Sequence, residues 1–267
     1  MKPAIDSCIE HRIENVVMTV WGNDGGECSH FSKLPSLFYI ACYAKGIRDE
    51  EVIKRKFKSL IGLDFDECLE IDNVNFITGN EFEGHPKNPS KYMLYSDCLN
   101  GYMDTTVKPG ASVKFAEVAE KLHATAKKSR KYGYVFDTAA KLADTMEIKY
   151  ELGIKTRAAY ANGDLEELRR LADEDYVEAA KRVNLFAKAL EKQWMLDNKA
   201  VGLEVFDIRL GGLAKRLDTC RRRILDYVNG KIDKIEELEE ELLPWGATEM
   251  SMDYNNALGS MTRSCLL

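Results

Sequence analysis

Apolar positions recur along the chain first at helical spacing, then in one short unbroken run, then at helical spacing almost to the end. Over residues 3–14, Ile5, Ile9 and Ile13 stand four apart. Steps of four keep them on one face, which predicts an amphipathic helix. Residues 16–21 (VVMTVW) come next as an unbroken apolar, β-branched run, the pattern of a strand buried on both faces. It ends in Gly22-Asn23-Asp24-Gly25-Gly26-Glu27, a turn-rich polar loop. A second helix is expected over roughly 34–45, stopped by Gly46. Helix, strand, loop and helix make an α/β beginning. A lone strand makes no sheet, so this beginning is incomplete by itself.

Partner strands are scarce in the rest of the chain. Residues 49–61 predict a helix with Asp49 as N-cap, and 64–70 a short one. Residues 72–92, with Gly79, Gly84, Pro86 and Pro89, read as loop. KYMLYSD at 91–97 is the one other strand candidate. From Pro109 onward the pattern predicts helices near 111–131, 134–160, 164–199, 201–229 and 231–243. Asn162-Gly163-Asp164 supplies a stop, a turn and an N-cap in sequence, and Asn229-Gly230 another stop. The expected fold class is therefore mainly α, a helical bundle behind a short α/β opening.

The most sustained periodicity runs through Leu203, Phe206, Leu210, Leu213, Leu217, Cys220, Ile224 and Tyr227, at alternating steps of three and four. That is a heptad seam. It fits either packing inside one subunit or an interface between two copies. Gly211 and Gly212 lie within it. Each costs about 1 kcal/mol relative to alanine in a helix, so a close approach by another helix or loop is expected there.

Composition narrows the classes. The 267 residues are 45% hydrophobic and 31% charged, as in a soluble globular protein with a real core. No run of about 18 apolar residues exists, so no membrane partner is expected. The N-terminus lacks the apolar core of a secretion signal, which predicts a cytoplasmic protein. The net charge of −6 argues against nucleic acid as the main partner. Seven cysteines form no C-x-x-C pair and read as reduced and mostly buried. Cys28 alone stands in suggestive company, without a histidine arrangement to activate it. His11, His30, His85 and His123 are scattered, so no metal site is predicted. No dinucleotide or P-loop fingerprint is present, and no cofactor is predicted. The Asp-Glu neighbours at 49–50, 66–67 and 173–174 read as solvated helix charges.

The chemistry concentrates in VVMTVWGNDGGECS. A tryptophan at the C-terminal end of a buried strand sits at the mouth of an α/β fold, where such folds bind ligands. The face of Trp21 can pack on the apolar face of a sugar ring. The carboxylates of Asp24 and Glu27 can accept hydrogen bonds from sugar hydroxyls, and Gly22, Gly25 and Gly26 let the backbone approach closely. The bland alternative is a buried tryptophan followed by a glycine-rich connection.

That string, with LPSLFYIACYAKG after it, resembles the last barrel strand and following helix of family 20 glycoside hydrolases, the β-N-acetylhexosaminidases. It is most similar to the bacterial exo-β-N-acetylglucosaminidases that carry a long helical domain after the barrel. KYMLYSDCLNGYMD at 91–104 and GLEVFDIRLGGLAKRL at 202–217 resemble the C-terminal region of the same group. The resemblance implies a (β/α)8 barrel followed by helices, and retaining release of terminal N-acetylglucosamine or N-acetylgalactosamine. The mechanism it implies is substrate-assisted: the substrate's acetamido oxygen attacks the anomeric carbon. An adjacent Asp-Glu pair at the end of the fourth barrel strand orients the acetamide and acts as general acid, then base.

A barrel needs about 250 residues and eight strands. The resemblance supplies only the last helix, strand and helix, and no catalytic Asp-Glu pair. The chain is therefore expected to be a C-terminal piece: 1–46 the last segment of a TIM-type barrel, 47–108 a small helical and loop connection, and 109–267 a long-helix domain. No catalytic residue is assigned. By resemblance, Trp21 lines the pocket for the terminal sugar. Glu27, or else Asp24, binds the hydroxyls at positions 4 and 6, with Asn23 a further candidate. Tyr95 and Asp97 are candidates to approach from the helical side. The expected partner of the parent enzyme is an amino-sugar glycan. The seam suggests a rival reading, a helical dimerisation module forming a homodimer without catalytic role.

Overall fold

The computed structural model describes residues 2–20, 27–76, 89–101 and 103–242. Among these residues the chain is mainly helical and forms no β-strand. Helix α1 (Lys2–Glu10) ends where Arg12 turns left-handed and Ile13 N–H bonds back to Cys8 O at 2.8 Å, a helix-closing motif. Helices α2 (Leu34–Ala44), α3 (Glu50–Ile61), α4 (Phe65–Leu69), α5 (Asn73–Phe76) and α6 (Pro89–Tyr95) make the first half. Asp49 caps α3 through the N–H groups of Glu51 and Val52, and Asp64 caps α4 in the same way.

Four long helices form a row. The short turn between α7 (Ser112–Lys128) and α8 (Gly133–Lys149) folds them into a hairpin; α8 packs on α11 (Tyr176–Asp197), and α11 on α12 (Leu203–Val228). Between α8 and α11 run α9 (Leu152–Ala161) and α10 (Leu165–Arg170). One turn of α13 (Glu236–Glu239) closes against Arg223, which pairs with Glu236 and Glu237. The core is built from side chains such as Phe57, Phe115, Leu122, Met146, Leu168 and Tyr176, all essentially inaccessible.

Several expectations change. KYMLYSD is not a strand: residues 89–95 are helix α6, buried against α8. A short apolar run has no periodicity that separates a strand from a buried helix. The helix expected over 134–160 breaks at Tyr150 and Glu151. There the Tyr150 hydroxyl accepts from Lys108 N–H, and Glu151 Oε1 accepts from the N–H groups of Gly110 and Ser112. Glu151 thus caps the start of α7 from forty residues away. The helix over 164–199 contains a π turn, Leu171–Asp175. The described residues 231–242 yield only α13.

The stretch 13–20 carries no regular structure, so the strand expected over 16–21 is not formed at its described positions. Val17 is 86% exposed, and Val16 and Val20 are exposed too. A β-branched run gains nothing from extension without a neighbour to pair its N–H and C=O groups. Residue 21 lies outside the described residues.

The seam on α12 is occupied within the chain. Phe206, Leu210, Leu213, Leu217, Cys220 and Ile224 are all buried, with α11 and the π turn against them. The interface reading loses the feature that motivated it. The close approach expected at Gly211 and Gly212 is also absent among the described residues: a Cβ built at either meets nothing within 4 Å. The close approach occurs instead at Gly202, whose left-handed backbone (φ 104°) starts α12. A Cβ there would lie 2.9 Å from the ring of Trp194, which itself packs edge-on against Phe206.

Candidate functional site

Of the sequence-derived sugar contacts, Trp21, Asn23 and Asp24 lie outside the described residues. Glu27 is described, and three helices hold it. From α6, Lys91 Nζ stands 3.0 Å from Glu27 Oε1 and 3.3 Å from Oε2. From α12, Arg209 Nη1 stands 3.7 Å from Oε1. From α11, the Gln193 amide donates to the Glu27 carbonyl at 2.9 Å. The carboxylate is 22% exposed, beside cations only 10% (Lys91) and 14% (Arg209) exposed. Among the described residues the cluster holds two cations and one carboxylate. Charges this far from water interact more strongly than the exposed pairs elsewhere on the surface.

Two residues on, the Ser29 hydroxyl donates to Asp197 at the end of α11, and Tyr134 on α8 donates to the other oxygen of that carboxylate. Ser29 Oγ also accepts from Phe31 N–H and so starts the turn leading into α2. Burial pushes the Tyr134 phenol up, and its bond to Asp197 adds to that. Residues 27–33 are thereby fastened to α6, α8, α11 and α12.

Tyr95 and Asp97 part company. Tyr95 is buried; burial pushes its phenol up, the nearby charge of Glu27 adds to that, and Arg209 opposes it. It belongs to the Glu27 cluster. Asp97 does not. Burial alone would raise its carboxyl, but the Arg216 guanidinium and the N–H groups of Leu99 and Asn100 outweigh that and hold it below the usual range. It ties α12 to the turn after α6.

A second polar cluster lies deeper. Lys149 is buried and donates to the carbonyls of Met93 (3.0 Å) and Ser96 (2.6 Å). Asp104 sits between two glycines, where a Cβ added at Gly101 or Gly153 would fall 2.7 Å from a carboxylate oxygen. Burial pushes its carboxyl up to about 6, against the opposing charges of Arg157 and Lys149. The niche around these groups has a volume near 10 Å³, about one water, and is too small for a sugar. The Asp-Glu neighbours are structural: Asp49 caps a helix, Asp66 and Glu67 pair with Lys54 and Lys128, and Asp173 and Glu174 pair with Arg221 and Arg170. Of the described cysteines, Cys42, Cys68, Cys98 and Cys220 are buried, Cys8 is half-buried and Cys28 is exposed. No helix among the described residues is long and apolar enough to cross a membrane.

A model of the Glycoside Hydrolase 20C C-terminal domain matches residues 66–257. The chain belongs to that family. Family membership supports a glycoside hydrolase parent for this C-terminal domain. A search of curated proteins gives no match. Lys91, Gln193, Asp197 and Arg209 all fall within the matched stretch, whereas Glu27 and Ser29 precede it. The contacts of Glu27 and Ser29 therefore join the family domain to the segment ahead of it.

Sequence reasoning missed Lys91, Gln193, Asp197, Tyr134 and Arg209. Lys91 and Arg209 stood inside the two segments with family resemblance, so a buried ion pair to Glu27 could have been sought there. Gln193 and Asp197 carry no signal beyond being polar residues on a helix.

Proposed function

We propose that this chain is the C-terminal part of a retaining, substrate-assisted exo-β-N-acetylhexosaminidase that releases terminal N-acetylglucosamine or N-acetylgalactosamine. The family match across 66–257 is the observation that carries the reading. On this reading residues 1–46 are the last helix–strand–helix of a (β/α)8 barrel, 47–108 a connection and 109–267 the helical domain. The exposed valines at 16, 17 and 20 support it, because a β-branched run left in the open is what a barrel strand looks like without its neighbours.

Trp21 packs on the ring of the terminal sugar, and Glu27 accepts from its hydroxyls; Asp24 and Asn23 share that loop. The anchoring of Glu27 by Lys91, Arg209 and Gln193 supports a fixed rather than a wandering carboxylate. The catalytic Asp-Glu pair belongs to the barrel and has no counterpart among residues 49–50, 66–67 or 173–174. One wall of a pocket buries too little of a sugar for tight binding alone, so the chain by itself is expected to be inactive.

The test is Trp21→Ala in the hydrolase assembled with its barrel. Hydrolysis of an aryl N-acetylglucosaminide should fall by about tenfold or more with loss of the ring contact. An unchanged rate, or turnover by the isolated chain, overturns the assignment.

A further inference from the structure

Arg209 stands out for how little of its guanidinium is engaged. Its side chain is 14% exposed, and its one ionic contact among the described residues is the 3.7 Å approach to Glu27 Oε1. It makes no hydrogen bond among those residues. Three more exposed or comparably placed arginines are bonded: Arg182 (22% exposed) reaches Glu147 and Glu178, Arg216 (29%) reaches Asp97, and the half-buried Arg157 reaches the carbonyls of Leu99, Glu237 and Leu238. A guanidinium carries five N–H donors in a fixed fork. Leaving them undirected beside a carboxylate costs free energy unless something else takes them.

The surroundings indicate what that is. Glu27 Oε1 is inaccessible and accepts no directed hydrogen bond, while Oε2 accepts from Lys91 Nζ at 3.3 Å. Lys91 neutralises Glu27 from 3.0 Å, which relieves Arg209 of that task. Tyr95, under the influence of both charges, makes no hydrogen bond among the described residues either. An acceptor, a forked donor and a phenol thus share one place. A sugar hydroxyl is donor and acceptor at once, and it can give its proton to a carboxylate while receiving a hydrogen bond from an arginine.

We propose that Arg209 is a substrate-contacting residue that donates from α12 to the same hydroxyl group of the terminal amino sugar from which Glu27 accepts. This rests on the sugar-site reading of the proposed function and adds to it a residue of the helical domain. The helical domain then takes part in sugar selection as well as in support.

The experiment uses the assembled hydrolase, with inhibition constants for N-acetylglucosamine and its 4-deoxy and 6-deoxy analogues. Wild type, Arg209→Met and Arg209→Lys are compared, with melting temperatures alongside. In the wild type one deoxy analogue should bind about tenfold or more weakly than the parent sugar, because the site's polar groups are left unpaired. Arg209→Met should lose a similar factor for the parent sugar and show a much smaller further loss for that analogue. Arg209→Lys, which keeps the charge but not the fork, should fall between. An unchanged parent-sugar affinity in Arg209→Met, or a deoxy penalty of the same size in variant and wild type, overturns the inference and leaves the sugar site standing. A wild type that no amino sugar inhibits overturns the sugar-site reading itself.

Discussion

Arg216 forks onto both oxygens of Asp97, with Nη2 3.1 Å from Oδ1. The same carboxylate accepts from the backbone of Leu99 and Asn100, each at 2.9 Å, and Asp97 is buried. One acidic side chain therefore pins the longest helix to the turn after α6.

Removing one partner of such a pair leaves the other charge uncompensated. Asp97→Ala should lower the unfolding free energy by about 3 kcal/mol, read from urea denaturation at neutral pH. The folded-state carboxyl is held below its usual range, so its contribution is present above the unfolded value near 4 and is lost as pH falls below it. The difference between wild type and Asp97→Asn should accordingly shrink on acidification.

Asp104 has the opposite sign. Its folded-state carboxyl is raised to about 6, so the folded protein holds a proton that the unfolded chain has released. Between roughly pH 4 and 6 stability falls as pH rises, and above 6 the whole penalty is present. Asp104→Asn should raise the melting temperature at pH 8 by the equivalent of up to about 3 kcal/mol. That gain should fade below about pH 4. A melting curve at each pH checks both halves of the statement.

Gly211 and Gly212 face open space in mid-helix. Alanine at either position should stabilise the chain by about 1 kcal/mol, measured by thermal denaturation. The same substitutions in the assembled hydrolase should be neutral or better. A loss confined to the assembly would mark a surface that docks against α12.

Gln193 is buried and holds the Glu27 carbonyl. Gln193→Ala should leave global stability within about 1–3 kcal/mol and weaken the attachment of residues 27–33. Faster amide exchange across those residues, without faster exchange in α8, is the expected signature.

How far the sequence reaches depends on how local the signal is. The caps at Asp49 and Asp164 and the stops at Gly163 and Gly230 were legible, because each acts within one turn of its own helix. The seam on α12 was legible as a pattern, and packing against α11 resolved which surface it meets. The break at Tyr150 and Glu151 was not legible, since its cause is a pair of N–H groups at Gly110 and Ser112. The misreading of 91–97 as strand has the same origin: a buried helix and a buried strand look alike over the four apolar positions 92–95. At the candidate site, Glu27 was found through its loop, while its neighbours come from three helices at distances of 64 to 182 positions, which no local pattern encodes.

The wide turn at Leu171–Asp175 sets the phase of everything after it. Arg170 reaches across that turn to Asp175, and Tyr176 N–H bonds to Leu171 O five positions back. Gln193 and Asp197 lie downstream on α11 and meet residues 27 and 29. Deleting a single amino acid from the turn would wind the helix back by about 100°, carrying both side chains round to another side. Insertions and deletions here would act at the far end of α11, like a gear slipped by one tooth.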